Sequence, residues 1–197
     1  MRKIINIEKV TDLKYLNMYQ ITYEKDGKTY KYNVASRREL NELECNSEGK
    51  TDAVRVIPYI IKDGKKYVVL IKEFRNAINK YIYGVPAGLV DKGESGRTAA
   101  IRELKEEIGA KVIAIARTQK PSYSSAGMTD EKIDCYEAQV ELVYKQSLEE
   151  TEDITVKIIP VDRLLEFMDK NQFGLQSALQ LKAFYYKSKL EEKNMEK

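Results

Sequence analysis

Three glutamates crowd into five positions of the segment RELKEEIG, which covers residues 102–109. They are Glu103, Glu106 and Glu107. Because a helix repeats every 3.6 residues, side chains at i, i+3 and i+4 share one helical face. Like charges at this spacing repel one another by roughly a few tenths of a kcal/mol. The pattern therefore indicates an acidic helical face against which something positive sits.

The complete absence of histidine from the 197 residues narrows the chemistry. It excludes a Ser-His-Asp or Cys-His triad, a histidine general base and histidine metal ligands. Hydrolysis would have to rely on carboxylates, lysines, tyrosines or a metal ion held by oxygen atoms. The net charge of +3 is small for this length, and the sequence has no basic block. We therefore expect no nucleic-acid partner.

The expected setting is a reducing cytoplasm without a membrane. The two cysteines, Cys45 and Cys135, have no CxxC spacing, which argues against a disulfide framework or a structural zinc site. The first ten residues, MRKIINIEKV, contain no continuous apolar region, so no signal peptide is expected. The apolar run at 67–71 is too short to cross a bilayer.

The order of apolar patterns predicts strands, one helix, further strands and terminal helices. Tyrosine-rich alternating runs flank KDGK within residues 17–36, and strongly apolar runs flank Lys62–Lys66, so both segments read as hairpins. Apolar residues three and four apart predict helices over 161–170 and 175–193. These elements indicate an α+β fold with helices packed on a mixed sheet.

The acidic segment itself predicts a helix with two opposed faces. Its apolar residues cluster on the side away from the glutamates and are Ile101, Leu104 and Ile108. Ala99 and Ala100 lie nearer the acidic side and would leave room for a ligand. Ser95 can cap the start, and Gly109 suits the left-handed position after the end. For such a segment in isolation, a solvated acidic face is the common alternative.

The residues before the helix favour a functional site over that alternative. From Gly88 to Ala110 the chain reads GLVDKGESGRTAAIRELKEEIGA, which resembles the Nudix box. The matching positions are Gly88, Glu94, Arg102, Glu103, Leu104, Glu106, Glu107 and Gly109. Ala110 departs from the pattern, since the box usually closes with a larger aliphatic residue.

This resemblance implies a Nudix fold, a mixed β-sheet sandwiched between helices, over residues 46–197. Residues 1–45 would form a small antiparallel β-strand subdomain used for dimerisation. It also implies a hydrolase of nucleoside diphosphates linked to another group, with bound Mg²⁺ or Mn²⁺. The metal would be held by Glu103, Glu107 and the Ala87 carbonyl. Glu106 would either bind the metal as well or support the ligands without contacting the metal itself. The implied supporting residues are Gly88, Glu94 paired with Arg102, and Gly109.

Other stretches resemble the ADP-ribose pyrophosphatase branch of that family. They are KEFRNAINKYIYGVPAGLVDKGE, NVASRREL, SSAGMTDEKIDCYEA and LEETEDITV. The implied substrate contacts are Arg75 and one of two neighbours, Arg37 or Arg38, and Glu131 would contact the substrate or a metal. The general base would be Glu150 or Glu152, on a loop that closes over the pyrophosphate. Ala126 replaces a proline typical of the branch, which leaves other nucleoside diphosphate sugars open.

Three functions follow from the resemblance. The first is an Mg²⁺-dependent pyrophosphatase of ADP-ribose or a related nucleotide sugar, acting as a homodimer with exchanged N-terminal strands. The second is a Nudix hydrolase of capped RNA, dinucleoside polyphosphates or damaged nucleotides. The third is a nucleotide-sugar sensor without catalysis. The intact box carboxylates favour the first.

Overall fold

The computed structural model describes residues 2–47 and 49–195, and these residues form ten β-strands and three α-helices. The predicted α+β class is confirmed. The chain divides into two compact units, Met1–Ala53 with Pro121–Ile133 and Val54–Lys120 with Asp134–Lys197. No helix among the described residues is long and apolar enough to cross a membrane.

The first unit is built on a three-stranded antiparallel sheet in the order β1-β2-β3. Its strands are β1 (Lys3–Lys9), β2 (Asn17–Lys25) and β3 (Lys28–Ser36). Asp26 and Gly27 both have positive φ, 52° and 72°, between paired Lys25 and Lys28. This backbone matches the twist of a two-residue hairpin turn, and the predicted hairpin is confirmed. A small core of Tyr19, Val34 and Leu43 holds the unit together.

The second unit centres on a seven-stranded sheet with the order β10-β5-β4-β9-β8, where β6 pairs with β5 and β7 with β4. The strands are β4 (Ala53–Lys62), β5 (Lys65–Arg75), β6 (Lys80–Gly84), β7 (Ala87–Leu89), β8 (Ala110–Tyr123), β9 (Lys132–Leu142) and β10 (Ile154–Pro160). The predicted hairpin around Lys62–Lys66 is β4 and β5. Both strands carry long apolar runs because both faces of the sheet are covered.

Helices cover the two faces of this sheet and are α1 (Gly96–Ile108), α2 (Leu164–Lys170) and α3 (Leu175–Met195). Successive strand residues point to opposite faces, and β5 shows this alternation. Val69 and Ile71 pack in one core with Leu104 of α1. Val68 and Leu70 pack in the other core with residues of α2 and α3, among them Leu164, Leu181 and Phe184. The expected layering of helices on both faces is confirmed.

The expected orientation of α1 is wrong in one respect. Ala99 and Ala100 are fully buried in the core and leave no room for a ligand, whereas Ile101 is 39% exposed. The buried arc of the helix also contains two glutamates, Glu103 and Glu107. The small alanines let α1 pack closely on the sheet. The buried surface of the helix therefore includes Glu103 and Glu107 as well as the apolar residues.

Candidate active site

The two ends of α1 are fixed by backbone chemistry. At the start, the Ser95 hydroxyl oxygen accepts a hydrogen bond from the Thr98 amide at 3.1 Å, as an N-cap does. At the end, Gly109 has φ +64°, and a Cβ atom there would lie 2.1 Å from the carbonyl oxygen of Tyr144. Only glycine satisfies both the left-handed backbone and this close approach. The helix therefore presents its acidic residues at defined positions.

Glu103 and Glu107 are the buried carboxylates of the helix, with 7% and 2% exposure. The Ala87 amide donates a hydrogen bond to Glu107 Oε2 at 3.3 Å. A Cβ atom on Gly88 would lie 1.9 Å from Glu103 Oε1, so a residue without a side chain is required beside that carboxylate. The segment of Ala87 and Gly88 thus runs directly along the acidic face.

This burial raises the pKa values of both carboxyl groups. Desolvation raises the pKa of Glu107 to about 9, and the charges of Glu103, Glu73 and Glu152 add to the shift. Desolvation also raises the pKa of Glu103, while Arg102 opposes that change. Negative groups that are desolvated together favour their neutral forms unless a cation offsets them. The perturbation marks this face as a functional-site candidate.

Arg102 connects the loop after β7 to α1. It donates to both oxygens of Glu94, from Nε at 3.2 Å and from Nη2 at 3.1 Å, and to the Leu89 carbonyl at 2.9 Å. The ion pair holds the pKa of Glu94 below its usual value. Arg102 also donates to Glu103 at 2.7 Å and to Glu106 at 3.1 Å. One guanidinium therefore spans the loop and two of the helical carboxylates.

A fourth carboxylate near the acidic face belongs to Glu73, which the sequence analysis did not single out. Its side chain is 15% exposed, and its Oε1 accepts a hydrogen bond from Arg75 Nη2 at 2.5 Å. Glu73 and Arg75 are two residues apart on β5, so they lie on the same face of the strand. The sequence could have indicated Glu73 through its two-residue spacing from Arg75, because Arg75 was already a candidate for the site.

The acidic loop before β10 reaches the same face. Ile154, its first strand residue, pairs directly with Glu73 across the β5–β10 ladder. The Gln146 side-chain amide donates to the carbonyls of Glu107, at 2.6 Å, and of Ile154, at 3.4 Å. These contacts tie the loop to the last turn of α1.

Within this loop the two candidate bases differ. The charge of Glu152 contributes to the raised pKa of both Glu103 and Glu107, so its carboxylate is within electrostatic range of them. The Glu152 side chain also accepts a hydrogen bond from the Glu149 amide at 2.9 Å. Glu150 is exposed. The geometry favours Glu152 over Glu150 as the group that faces the site.

The remaining candidates lie in the first unit, where Arg37 and Arg38 have different environments. Arg38 is 8% exposed and donates to Asp52 at 2.7 and 2.8 Å, to Glu44 at 2.8 Å and to the Lys50 carbonyl at 2.9 Å. Arg37 is 42% exposed, and its Nε lies 3.8 Å from Glu131 Oε1. Arg38 therefore binds acids of its own unit, and Arg37 is the arginine available to a ligand.

A divalent cation would suit the donors of the acidic face, which are all oxygen atoms. In residues 2–47 and 49–195, no three acidic or cysteine side chains are arranged as a complete metal cage. Mg²⁺ commonly takes only one or two carboxylates and completes its shell with water and substrate phosphate. The perturbed carboxylates Glu103 and Glu107 fit that mode of binding.

Comparison with known proteins agrees with this geometry. A family model described as "NUDIX domain" matches residues 49–179. "Putative nudix hydrolase 2" of Caenorhabditis elegans is 29% identical, over 90% of this chain and 82% of its own. "ADP-ribose pyrophosphatase" of Saccharomyces cerevisiae is 30% identical, over 70% and 58%. A crystal structure of an ADP compounds hydrolase superimposes with a TM-score of 0.70 at 26% identity, covering 98% of this chain and 95% of the other. The chain therefore belongs to the NUDIX family and is a Nudix hydrolase.

Proposed function

We propose that this Nudix hydrolase cleaves the pyrophosphate bond of ADP-ribose or a related nucleoside diphosphate sugar. The products would be a nucleoside monophosphate and a sugar phosphate. The observation that carries the proposal is the pair of buried carboxylates, Glu103 and Glu107, whose pKa values are raised on one helical face. The similarity to an enzyme named ADP-ribose pyrophosphatase supports this class of substrate.

Mg²⁺ is the proposed cofactor, with Mn²⁺ as an alternative. The residues that would hold it are Glu103, Glu106, Glu107 and the Ala87 carbonyl. When bound, such an ion neutralises diphosphate charge, polarises the phosphoryl group and lowers the pKa of a bound water. Arg102, through its two hydrogen bonds to Glu94, would hold the loop against the helix and so fix the positions of these ligands.

The chain's own side chains supply the remaining steps. Glu152 is the proposed general base, which accepts the proton of the attacking water, and Glu150 is the second candidate. Arg75 is the proposed diphosphate contact in the second unit, because a guanidinium can donate two parallel hydrogen bonds to phosphate oxygens. Arg37 and Glu131 are the proposed substrate contacts in the first unit.

A homodimer is the proposed assembly, with the N-terminal strands exchanged between subunits. The first unit exposes several large apolar side chains near its start. They are Ile4, Ile5, Val10, Leu13, Tyr15, Leu16 and Met18. Burial of these side chains against a second copy would support the dimer. The cytoplasm is the proposed location, and Cys45 and Cys135 are free thiols in the described part of the chain.

A substrate panel tests the proposal. Purified protein is incubated with ADP-ribose, ADP-glucose, GDP-mannose, UDP-glucose, NADH or capped RNA, in Mg²⁺ or in excess chelator, and the products are separated by chromatography. We expect Mg²⁺-dependent release of a nucleoside monophosphate and a sugar phosphate from at least one nucleotide sugar. Binding without turnover would support a sensor, and turnover of capped RNA alone would support the other hydrolase class.

The matched variants are Glu107→Gln and Glu141→Gln. Glu107 lies on the acidic face, whereas Glu141 is half exposed at the end of β9. Only the first substitution should abolish the Mg²⁺-dependent turnover. Equal activity of the two variants would show that the reaction does not use this face.

A further inference from the structure

A cavity of about 370 Å³ opens at the end of β5, and Arg75, the proposed diphosphate contact, lies in its wall. Its polar wall contains Arg55, Glu73, Arg75 and Ser177, and its apolar wall includes Ile78 and Ile82. The cavity thus combines two guanidinium groups, one carboxylate and an aliphatic surface. Because Glu73 also belongs to the acidic face, this cavity and the proposed reaction site share a residue.

Gly84 lies at the point where these polar groups meet. A Cβ atom on Gly84 would be 3.3 Å from Ser177 Oγ and 3.8 Å from Glu73 Oε1. Arg55 reaches the same place, because its Nη2 donates a hydrogen bond to Ser177 Oγ and its Nε donates to Gln180 Oε1. Hydrogen-bond donors and an acceptor are therefore grouped around a position that is free of side-chain atoms only because residue 84 is glycine.

The cavity adjoins the place where the diphosphate would be cleaved. Glu73 pairs with Ile154 across the β5–β10 ladder. The Gln146 side-chain amide donates hydrogen bonds to the carbonyl oxygens of both Ile154 and Glu107. Because Glu73 lines the cavity and its charge acts on Glu107, a group that is attached to the diphosphate can lie in the cavity while the diphosphate stays at the acidic face.

The lining favours a sugar over a nucleobase. Vicinal hydroxyls can donate to a carboxylate and accept from guanidinium groups, and the aliphatic side chains suit the carbon face of the ring. Two arginines against one glutamate also favour an attached phosphate. The one aromatic side chain in the lining, Tyr83, already packs its ring against Phe167 and Phe173 at 4.8 and 5.7 Å. Its stacking surface is therefore occupied.

We infer that this cavity binds the sugar phosphate half of the substrate, and that Arg55 and Gly84 determine which sugars are accepted. The inference rests on the proposed function. A pentose has fewer atoms than a hexose, and Gly84 lines the cavity beside the buried Ser177, so a methyl group added at residue 84 narrows the space left for a sugar ring. Arg55 contributes a hydrogen-bond donor to the sugar hydroxyls while remaining outside the set of proposed metal ligands.

The kinetic test varies one half of the substrate at a time. ADP-ribose and ADP-mannose share the ADP half and differ in the sugar half, both in the ring and in the carbon that carries the phosphate, whereas ADP-mannose and GDP-mannose differ only in the base. For Gly84→Ala we expect the ratio of kcat/KM between the two sugars to change at least about fivefold, and the ratio between the two bases to change less than about twofold. For Arg55→Gln we expect KM for ADP-sugars to rise about tenfold. The controls are Gly127→Ala, at an open position, and Arg163→Gln, an exposed arginine.

The inference is overturned if Gly84→Ala changes only the base ratio or neither ratio, or if Arg55→Gln leaves KM for ADP-sugars unchanged. A titration of ribose 5-phosphate, and separately of AMP, provides a readout without turnover. We expect both variants to weaken ribose 5-phosphate binding and to leave AMP binding unchanged. If the wild type hydrolyses no nucleotide sugar, the proposed function fails and this titration alone decides. Equal affinity of all variants for ribose 5-phosphate would then contradict the assignment of the cavity.

Discussion

The backbone of Gly88 lies so close to the Glu103 carboxylate that a Cβ atom would be only 1.9 Å from Oε1. Replacing Gly88 with alanine must therefore displace either the loop or the carboxylate. We expect Gly88→Ala to lower kcat/KM by about tenfold or more, because a small displacement of a catalytic group strongly lowers the reaction rate. Steady-state kinetics with circular dichroism as a folding check measures this. Gly127→Ala is the control, and equal activity of the two variants would argue that Glu103 needs no such positioning.

The raised pKa of Glu107 gives the metal-free protein an unusual dependence of stability on pH. The native state keeps the Glu107 proton up to about pH 9, whereas an ordinary glutamate loses it near 4.5. Between these values the native state binds more protons than the unfolded state, so the free energy of unfolding falls as pH rises. Urea denaturation in chelator from pH 5 to pH 9 should show this decline. Glu107→Gln should flatten it, and an unchanged slope in the variant would refute the assignment.

The two loop glutamates predict different kinetic effects. Glu152 is close enough to Glu103 and Glu107 to raise the pKa of both, whereas Glu150 is exposed. We expect Glu152→Gln to lower kcat by about a hundredfold, as the loss of a general base does, and Glu150→Gln to lower it less than about threefold. Single-turnover kinetics at saturating Mg²⁺ measures the step directly. The reverse order of effects would assign the base to Glu150.

The neighbouring arginines of the first unit should separate stability from substrate binding. Arg38 is buried against Glu44 and Asp52, so Arg38→Gln leaves acids without their partner and should destabilise the protein by about 3 kcal/mol. Arg37→Gln should leave stability unchanged and raise KM. Urea midpoints and KM values for both variants test this pair of expectations. A raised KM with intact stability for Arg38→Gln would instead make Arg38 the substrate contact.

The elements that the sequence predicted best depend on local chemistry. Ser95 and Gly109 mark the ends of α1 because capping is decided within a few residues. The hairpin turns, Asp26-Gly27 and Asp63-Gly64, are similarly local, since both need positive φ. The spacing of Arg102, Glu103, Glu106 and Glu107 places their side chains on one helix, so their grouping also follows from the sequence.

What could not be predicted depends on contacts between distant segments. Glu73 lies near the acidic face because α1 packs on the face of β5 that carries Val69, Ile71 and Glu73, a tertiary contact that no local pattern specifies. The burial of Ala99 and Ala100 depends on how closely α1 approaches the sheet. The choice between Arg37 and Arg38 depends on which of two successive residues faces Asp52, and adjacent residues carry the same local signal.

Both ends of the segment between Gln146 and Ile154 are already attached in the structure. The Ser147 amide donates to the Glu106 carbonyl at 2.9 Å, and Ile154 begins the ladder with β5. A short loop with anchored ends has few conformations to lose when it closes over a bound molecule. The ordering of this loop would therefore lower substrate affinity less than the ordering of an equally long loop without such hydrogen bonds at its ends.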